Sequence, residues 1–427
     1  MNIQFPPQVL LLFVACLVAG ASASSVTRAE DSADLQDRRP VELSDAARRI
    51  HAQALVIDGH NDLPWELRKQ GSLSFDRLDI SKEQSTLHTD IPRLRQGGVG
   101  AQFWSVYVPA STAYDGTALI ATLEQIEMVD AMIDRYPETF ELALTVDDIE
   151  RIHAAGRIAS LIGVEGGHSI ENSLNVLQQL YRLGARYMTL THSDTLDWAD
   201  SATDEPRHRG LTPFGEDVVR EMNRLGMLVD LSHVSPDTMK QTLRVTQAPV
   251  IFSHSSARAI ADHPRNVPDD VLRMLAQNGG VVMVNFYSGF VVPESAQRSV
   301  QRMEYQKQLK ESLDAVKVQV ALNKWDAQHP MQPGTIHDVI DHIDHIVQVA
   351  GVDHVGLGSD YDGVSTLPRQ LEDVSSYPLI TQALLDRGYR EGDILKVLGG
   401  NVLRVMRQAE RVSERISKEK RPANRSP

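Results

Sequence analysis

Beyond residue 43 the chain alternates between two kinds of segment. One is a short apolar run rich in Val, Ile and Leu that ends in polar residues; the other is longer, with apolar residues at helical spacing. The runs are 54–58, 99–106, 159–165, 186–191, 227–231, 249–252, 280–285 and 355–359. Strands exposed on one face alternate apolar and polar residues, so near-continuous runs predict a parallel sheet buried on both faces. Helices are predicted over 45–53, capped by Ser44, and over 173–183, 212–225, 269–277 and 336–349. Eight such units predict an α/β fold closed into a TIM-like (β/α)8 barrel rather than an open sheet. Residues 291–333 break the rhythm; charged and helical in pattern, they are expected to form an insertion at the strand ends, as a rim or lid.

The two ends follow other rules. Residues 9–20 are uninterruptedly apolar, shorter than the roughly 20 residues that span a bilayer, and are followed by Ala21-Ser22-Ala23. This reads as a signal peptide, 1–23, although 1–8 carry no Lys or Arg. The competing reading is a lipoprotein anchored through Cys16; both place the mature protein outside the cytoplasm, in a bacterial periplasm. Residues 24–43 are expected to be a disordered leader, 44–410 the barrel domain and 411–427 a charged tail without a lipid-anchor signal.

Composition narrows the function little. A formal net charge of −14 repels phosphate backbones, so nucleic acid is not an expected partner. The single cysteine leaves no intrachain disulfide and no thiolate chemistry.

Chemistry collects where the apolar runs stop. They lead into Asp58-Gly-His60-Asn-Asp62, Glu165-Gly-Gly-His168, Thr191-His192-Ser193, Ser232-His233, Ser253-His254 and Ser359-Asp360-Tyr-Asp362. In a parallel barrel all C-terminal strand ends meet on one face, so these residues converge. Imidazoles and carboxylates together form a ligand set suited to zinc. His60, Asp62, Glu165, His233 and His254 suit two metals, with Glu165 as the bridge because a carboxylate has two oxygens and a neutral imidazole gives one nitrogen. Taken singly, His60 or His233 is a hydrogen-bonded loop histidine and Asp62 or Asp360 a helix N-cap; packing alone does not repeat the pattern at so many strand ends.

Other histidines are read blandly. His337, His342 and His345 accompany an apolar stripe of Ile336, Val339, Ile340, Ile343, Ile346 and Val347, with His342, Asp341 and Asp344 on or beside a solvated face. His168 either orients a ligand from behind or packs. His51, His88, His153, His208, His263, His329 and His354 are expected at the surface or in loops.

The same segments carry a resemblance. Val56-Ile-Asp-Gly-His-Asn-Asp-Leu-Pro64, Gly163-Val-Glu-Gly-Gly-His-Ser-Ile170, Leu190-Thr-His-Ser193, Trp198-Ala-Asp200, Ser253-His-Ser-Ser-Ala257, Arg265-Asn-Val-Pro-Asp-Asp270 and Gly358-Ser-Asp-Tyr-Asp-Gly363 resemble the signature segments of the membrane (renal-type) dipeptidases, peptidase family M19, over roughly residues 55–406. The resemblance implies an amidohydrolase-like barrel with two Zn2+ per subunit, His60 and Asp62 on one, His233 and His254 on the other, and Glu165 bridging. It implies that a metal-bridging hydroxide attacks the peptide bond of dipeptides, including those with C-terminal D-residues, and that carbapenem opening is an activity of some members. His192 matches the residue that stabilises the developing oxyanion, Arg265 the one that grips the substrate's C-terminal carboxylate, and Asp360 the acid/base serving the leaving amine. It also implies a homodimer.

There are departures. The vertebrate members carry disulfides and a lipid anchor, which points here to a bacterial relative. Asp194-Thr-Leu-Asp197, Phe290 and the 291–333 insertion differ from relatives near the expected cleft and put side-chain preference in doubt. Two other readings compete: another metal-dependent amide hydrolase on the same barrel, and a metal carrier or solute-binding protein. His-x-Asp in the first strand and the lack of a lysine for a carbamylated bridge oppose the former; a carrier has no use for His192, Arg265 and Asp360.

Overall fold

The structure is a computed structural model that describes residues 38–419. The expected signal peptide, the first part of the leader and the last residues of the tail lie outside them. Among the described residues there are nine strands: β1 Val56–Asn61, β2 Val99–Tyr107, β3 Phe140–Leu142, β4 Ile158–Glu165, β5 Ala185–Thr189, β6 Leu228–Asp230, β7 Ile251–Phe252, β8 Val281–Val284 and β9 Val355–Leu357. All pairings are parallel, and the extra pairing of β2 with β4 closes the order β1-β2-β4-β5-β6-β7-β8-β9 into an eight-stranded barrel. The eight apolar runs are these eight strands. The short β3, which no run marks, pairs only with the start of β4 and lies outside the closure.

Alternate residues along the strands enter two separate apolar clusters. Ile57, Phe103, Leu161, Tyr187, Leu228, Ile251 and Met283 belong to one; Val56, Trp104, Ile162, Met188, Val229, Phe252 and Val282 belong to the other, which also takes in the flanking helices. This period of two separates the barrel interior from the layer between barrel and helices. The interior cluster also contains Val402, Val405 and Met406, so helix Asn401–Glu419 plugs the end where the strands begin. The opposite end is left for the polar strand termini.

The predicted helices form as Asp45–His51, Leu174–Arg182, Pro213–Leu225, Asp269–Asn278 and Ile336–Ala350. Ser44 caps the first by accepting the Ala47 N–H. The insertion is a pair of helices, Pro293–Lys310 and Ala315–Gln328, tied by Arg302 to Asp326 at 2.6 Å. Lys307 pairs with Glu205, joining the first of them to the loop after β5.

The ends of the domain differ from the expectation. Gln370 exchanges two hydrogen bonds with the Val41 backbone, so ordered packing begins before residue 44. Val412 and Ile416 are buried on helix Asn401–Glu419, so it begins no tail at 411; a sparse apolar stripe at helical spacing is hidden among many charges.

Candidate metal centre

The strand ends bring five of the expected side chains around Glu165, the last residue of β4. His60 Nε2 lies 3.5 Å from Glu165 Oε2 and 3.3 Å from Asp62 Oδ2. On the other oxygen, Glu165 Oε1 is 3.1 Å from His233 Nε2, 3.6 Å from His254 Nε2 and 3.7 Å from His192 Nε2. Asp62 occupies the N-cap of helix Leu63–Gly71 but makes no capping hydrogen bond; its carboxylate turns to His60 instead. Asp360 completes a third group with His60 and Asp62. Gly363 permits this approach, because a Cβ there would stand 2.2 Å from Asp62 Oδ2 and 2.5 Å from Asp360 Oδ1.

Two of the imidazoles are held from behind. His60 Nδ1 lies 2.8 Å from the Tyr187 hydroxyl, and His254 Nδ1 lies 2.7 Å from Ser253 Oγ. The Tyr187 ring fits only because residue 163 is glycine: a Cβ there would stand 2.1 Å from Tyr187 Cζ. Ser105 Oγ donates to Glu165 Oε2 at 3.0 Å. A hydrogen bond to the far side of a ligand imidazole or carboxylate is the usual support of a metal site.

Electrostatics and the donor set fit a cation. Burial, Arg265 and neighbouring imidazoles hold His233 and His254 well below the ordinary histidine range, so both are neutral and offer lone pairs. Burial would lower His60, yet Tyr187, Glu165 and Asp62 hold it well above that range. Burial would raise Glu165, but His60 and His233 keep it well below the usual carboxylate value. Glu165 thus stays ionised at the centre, and it and Asp62 draw positive charge to the His60 side. His60 Nε2 is buried without a hydrogen-bond partner, an expensive state for an imidazole nitrogen unless something else occupies it.

A cavity of about 630 Å3 opens over these residues and is also lined by Tyr107, His192, Arg265, Tyr287 and Asp360. Burial brings His192 down to about 4, so its ring is neutral. Burial brings Arg265 down to about 10, against Asp360 and Glu165, so it stays cationic; its guanidinium stands 5.3 Å from the Phe290 ring centre. Asp360 is pushed up to about 8 by burial, with Asp62 and Glu165 adding and His60 opposing, and it accepts the Asn285 side-chain N–H at 2.7 Å. A second cavity of about 700 Å3 shares His233, Arg265, Tyr287 and Phe290 and runs under helix Pro293–Lys310, so the insertion walls the cleft.

Sequence reading passed over Asn285, although it ends the apolar run of β8, and Tyr187, which no pattern separates from its strand. His342 is fully buried rather than on a solvated face: Nδ1 accepts the Ala257 N–H at 2.9 Å and Nε2 donates to the Val291 carbonyl at 3.1 Å. His51 and His263 are buried too, His51 between Thr381 and the Gly97 carbonyl and His263 against Ser299. Each fills its two-sided hydrogen bonding inside the fold, which spacing alone does not reveal. His168 packs with Nε2 donating to the Val108 carbonyl at 3.1 Å.

The sequence model described as membrane dipeptidase, peptidase family M19, matches residues 44–420. The chain is 43% identical over 382 residues to Dipeptidase 3 of Mus musculus, spanning 87% of this chain and 69% of that one. It is 41% identical over 380 residues to Dipeptidase verJ of Clonostachys rogersoniana, spanning 87% and 88%. Among solved structures, the probable dipeptidase PvdM from Pseudomonas aeruginosa superposes with a TM-score of 0.76 at 21% identity, covering 86% of this chain and 98% of that one. A metallo peptidase from Rhodobacter sphaeroides, liganded with a phosphinate mimic of the dipeptide L-Ala-D-Ala, gives 0.69 at 24%, covering 83% and 99%. At these identities the structural likeness speaks to the fold.

Proposed function

Since the chain belongs to the membrane dipeptidase family and is a metallopeptidase acting on dipeptides, we propose that it works with two zinc ions, one held by His60 and Asp62, the other by His233 and His254, and both by Glu165. The observation that carries this reading is the arrangement around one carboxylate: His60 meets one oxygen of Glu165, and His233 and His254 meet the other. Soft nitrogen and hard oxygen donors in this mixture suit zinc. When bound, such a pair supplies Lewis acidity that polarises the scissile carbonyl and activates the attacking water at neutral pH.

The chain's own groups do the rest. Arg265 takes the C-terminal carboxylate of the substrate in a bidentate ion pair, which sets the distance from that carboxylate to the reacting carbon. A tripeptide has no carboxylate at that distance, so the clamp restricts cleavage to dipeptides. His192, neutral, donates its ring N–H to the oxygen on which negative charge develops. Asp360, raised by burial, carries a proton at neutral pH and delivers it to the departing amine nitrogen, oriented by Asn285. The apolar run and small-residue cleavage signature of residues 9–23 support export. Among the described residues no helix is long and apolar enough to cross a membrane.

The test is hydrolysis of Gly-L-Ala, Gly-D-Ala, L-Ala-D-Ala and a tripeptide by zinc-loaded protein, with and without chelator. Chelator-sensitive cleavage of dipeptides alone is expected. Dipeptide cleavage that survives full metal removal would overturn the zinc reading, and tripeptide cleavage at a comparable rate would overturn the clamp.

A further inference from the structure

Two fully buried aspartates beside the centre stand in the same relation to a serine just past the end of the neighbouring strand. Asp58 accepts the Ser359 backbone N–H on Oδ1 and the Ser359 hydroxyl on Oδ2, both at 2.7 Å. Asp230 accepts the Ser253 N–H on Oδ1 at 2.8 Å and the Ser253 hydroxyl on Oδ2 at 2.6 Å. Each serine immediately precedes a residue of the site, Asp360 or His254, and each aspartate lies shortly before a histidine of the centre, His60 or His233. A buried carboxylate is costly unless its hydrogen bonds are complete, and this one clasp occurs at two junctions of the barrel.

At Ser253 the clasp reaches a ring nitrogen. The hydroxyl has one proton and gives it to Asp230, so towards His254 Nδ1, 2.7 Å away, the Oγ atom is an acceptor. Nδ1 therefore carries the hydrogen, and Nε2 keeps its lone pair facing Glu165. Resting on the reading that His254 Nε2 holds zinc, we propose that Asp230 is a positioning residue that fixes the metal-binding tautomer of His254 through Ser253.

Asp230→Asn tests this without changing shape. Oδ1 is pinned as an acceptor by the Ser253 N–H and by the Ser232 N–H at 3.0 Å, so the new amide nitrogen takes the Oδ2 place. There it donates to Ser253 Oγ, whose proton turns to His254 Nδ1; the ring hydrogen moves to Nε2 and blocks that ligand. Zinc titration of metal-free protein, with metal content by mass spectrometry after dialysis, should show one ion bound as in wild type and the other weakened about 10- to 100-fold. Cobalt(II) loading should lose the visible absorption of one site at concentrations that fill both in wild type. Ser253→Ala, which removes the relay and keeps the carboxylate, should weaken the same ion, and stands in if Asp230→Asn does not fold. Thr189→Val removes another bond to the same carboxylate, 2.5 Å long, and should lower the melting temperature while leaving both affinities unchanged. Two ions bound by Asp230→Asn and Ser253→Ala with wild-type affinity would overturn the relay, as would equal weakening in Thr189→Val. Wild type that takes fewer than two ions would instead overturn the reading of the centre beneath it.

Discussion

The Nε2 atoms of His233 and His254 lie 2.8 Å apart, and both rings are held neutral by burial. In the metal-free protein a ring hydrogen on one of these nitrogens bridges to the other, and an ion held by both takes that hydrogen's place. By mass action alone, zinc at a hundredfold excess over its dissociation constant should stabilise the fold by about 2.7 kcal/mol for each ion bound. Thermal unfolding before and after chelator treatment measures this, and identical melting temperatures would contradict it. Glu165→Ala should lose both ions together, since that carboxylate faces all three ligand imidazoles; two zinc ions per chain in this variant would refute the bridge.

Asp360 tests the division between metal binding and proton delivery. Its carboxyl accepts from Asn285, and in Asp360→Asn the shape stays while the transferable proton goes. Zinc content should be unchanged, and kcat should fall about 10²- to 10⁴-fold, the usual loss for a removed general acid. Steady-state kinetics with metal analysis on the same sample decides it; turnover close to wild type would remove Asp360 from its role.

The barrel was legible because its strands are buried on both faces, which writes each one as an apolar run with a chemical residue at its stop. Such runs say where a strand ends but not what stands behind it. Asp58 looked like the polar end of a run, and Asp230 sat unremarked within one, because a carboxylate buried under a site and one facing solvent have the same letter. His342 and His51 were misread for the same reason: each is satisfied by a backbone group from a remote segment, Val291 for one and Gly97 for the other. Helix Asn401–Glu419 misled through its charges, which cover a stripe of Val405, Ala409, Val412 and Ile416.

The Arg265 guanidinium is buried over the Phe290 ring and, among the described residues, makes only long hydrogen bonds of 3.4 Å to Ser255 Oγ and the His254 carbonyl. Those weak contacts leave the guanidinium able to take up a carboxylate. Lysine keeps the charge but loses the fork, and hydrogen bonds to charged groups contribute about 1.5–3 kcal/mol. Arg265→Lys should raise KM for dipeptides roughly 10- to 100-fold with a smaller change in kcat. It should also narrow the gap between dipeptide and dipeptide amide, since the amide lacks the carboxylate. An unchanged KM would show that the carboxylate binds elsewhere.

His342 should make the fold acid-sensitive. Burial brings its pKa from 6.5 down to about 4, against the Val291 carbonyl that its Nε2 faces, while Nδ1 accepts the Ala257 N–H. Between those values the unfolded chain binds a proton that the folded chain refuses, so stability rises with pH across that window. The contribution is complete above about pH 6.5, shrinks as the pH falls, and is gone below about 4. At about 1.4 kcal/mol for each tenfold change in proton affinity, the loss is roughly 3 kcal/mol. Glutamine offers one acceptor and one donor without titrating. Urea unfolding of wild type and His342→Gln at pH 7.5, 5.5 and 4.5 should show the wild type losing stability faster, while parallel curves would mean that protonation of His342 does not govern the acid response.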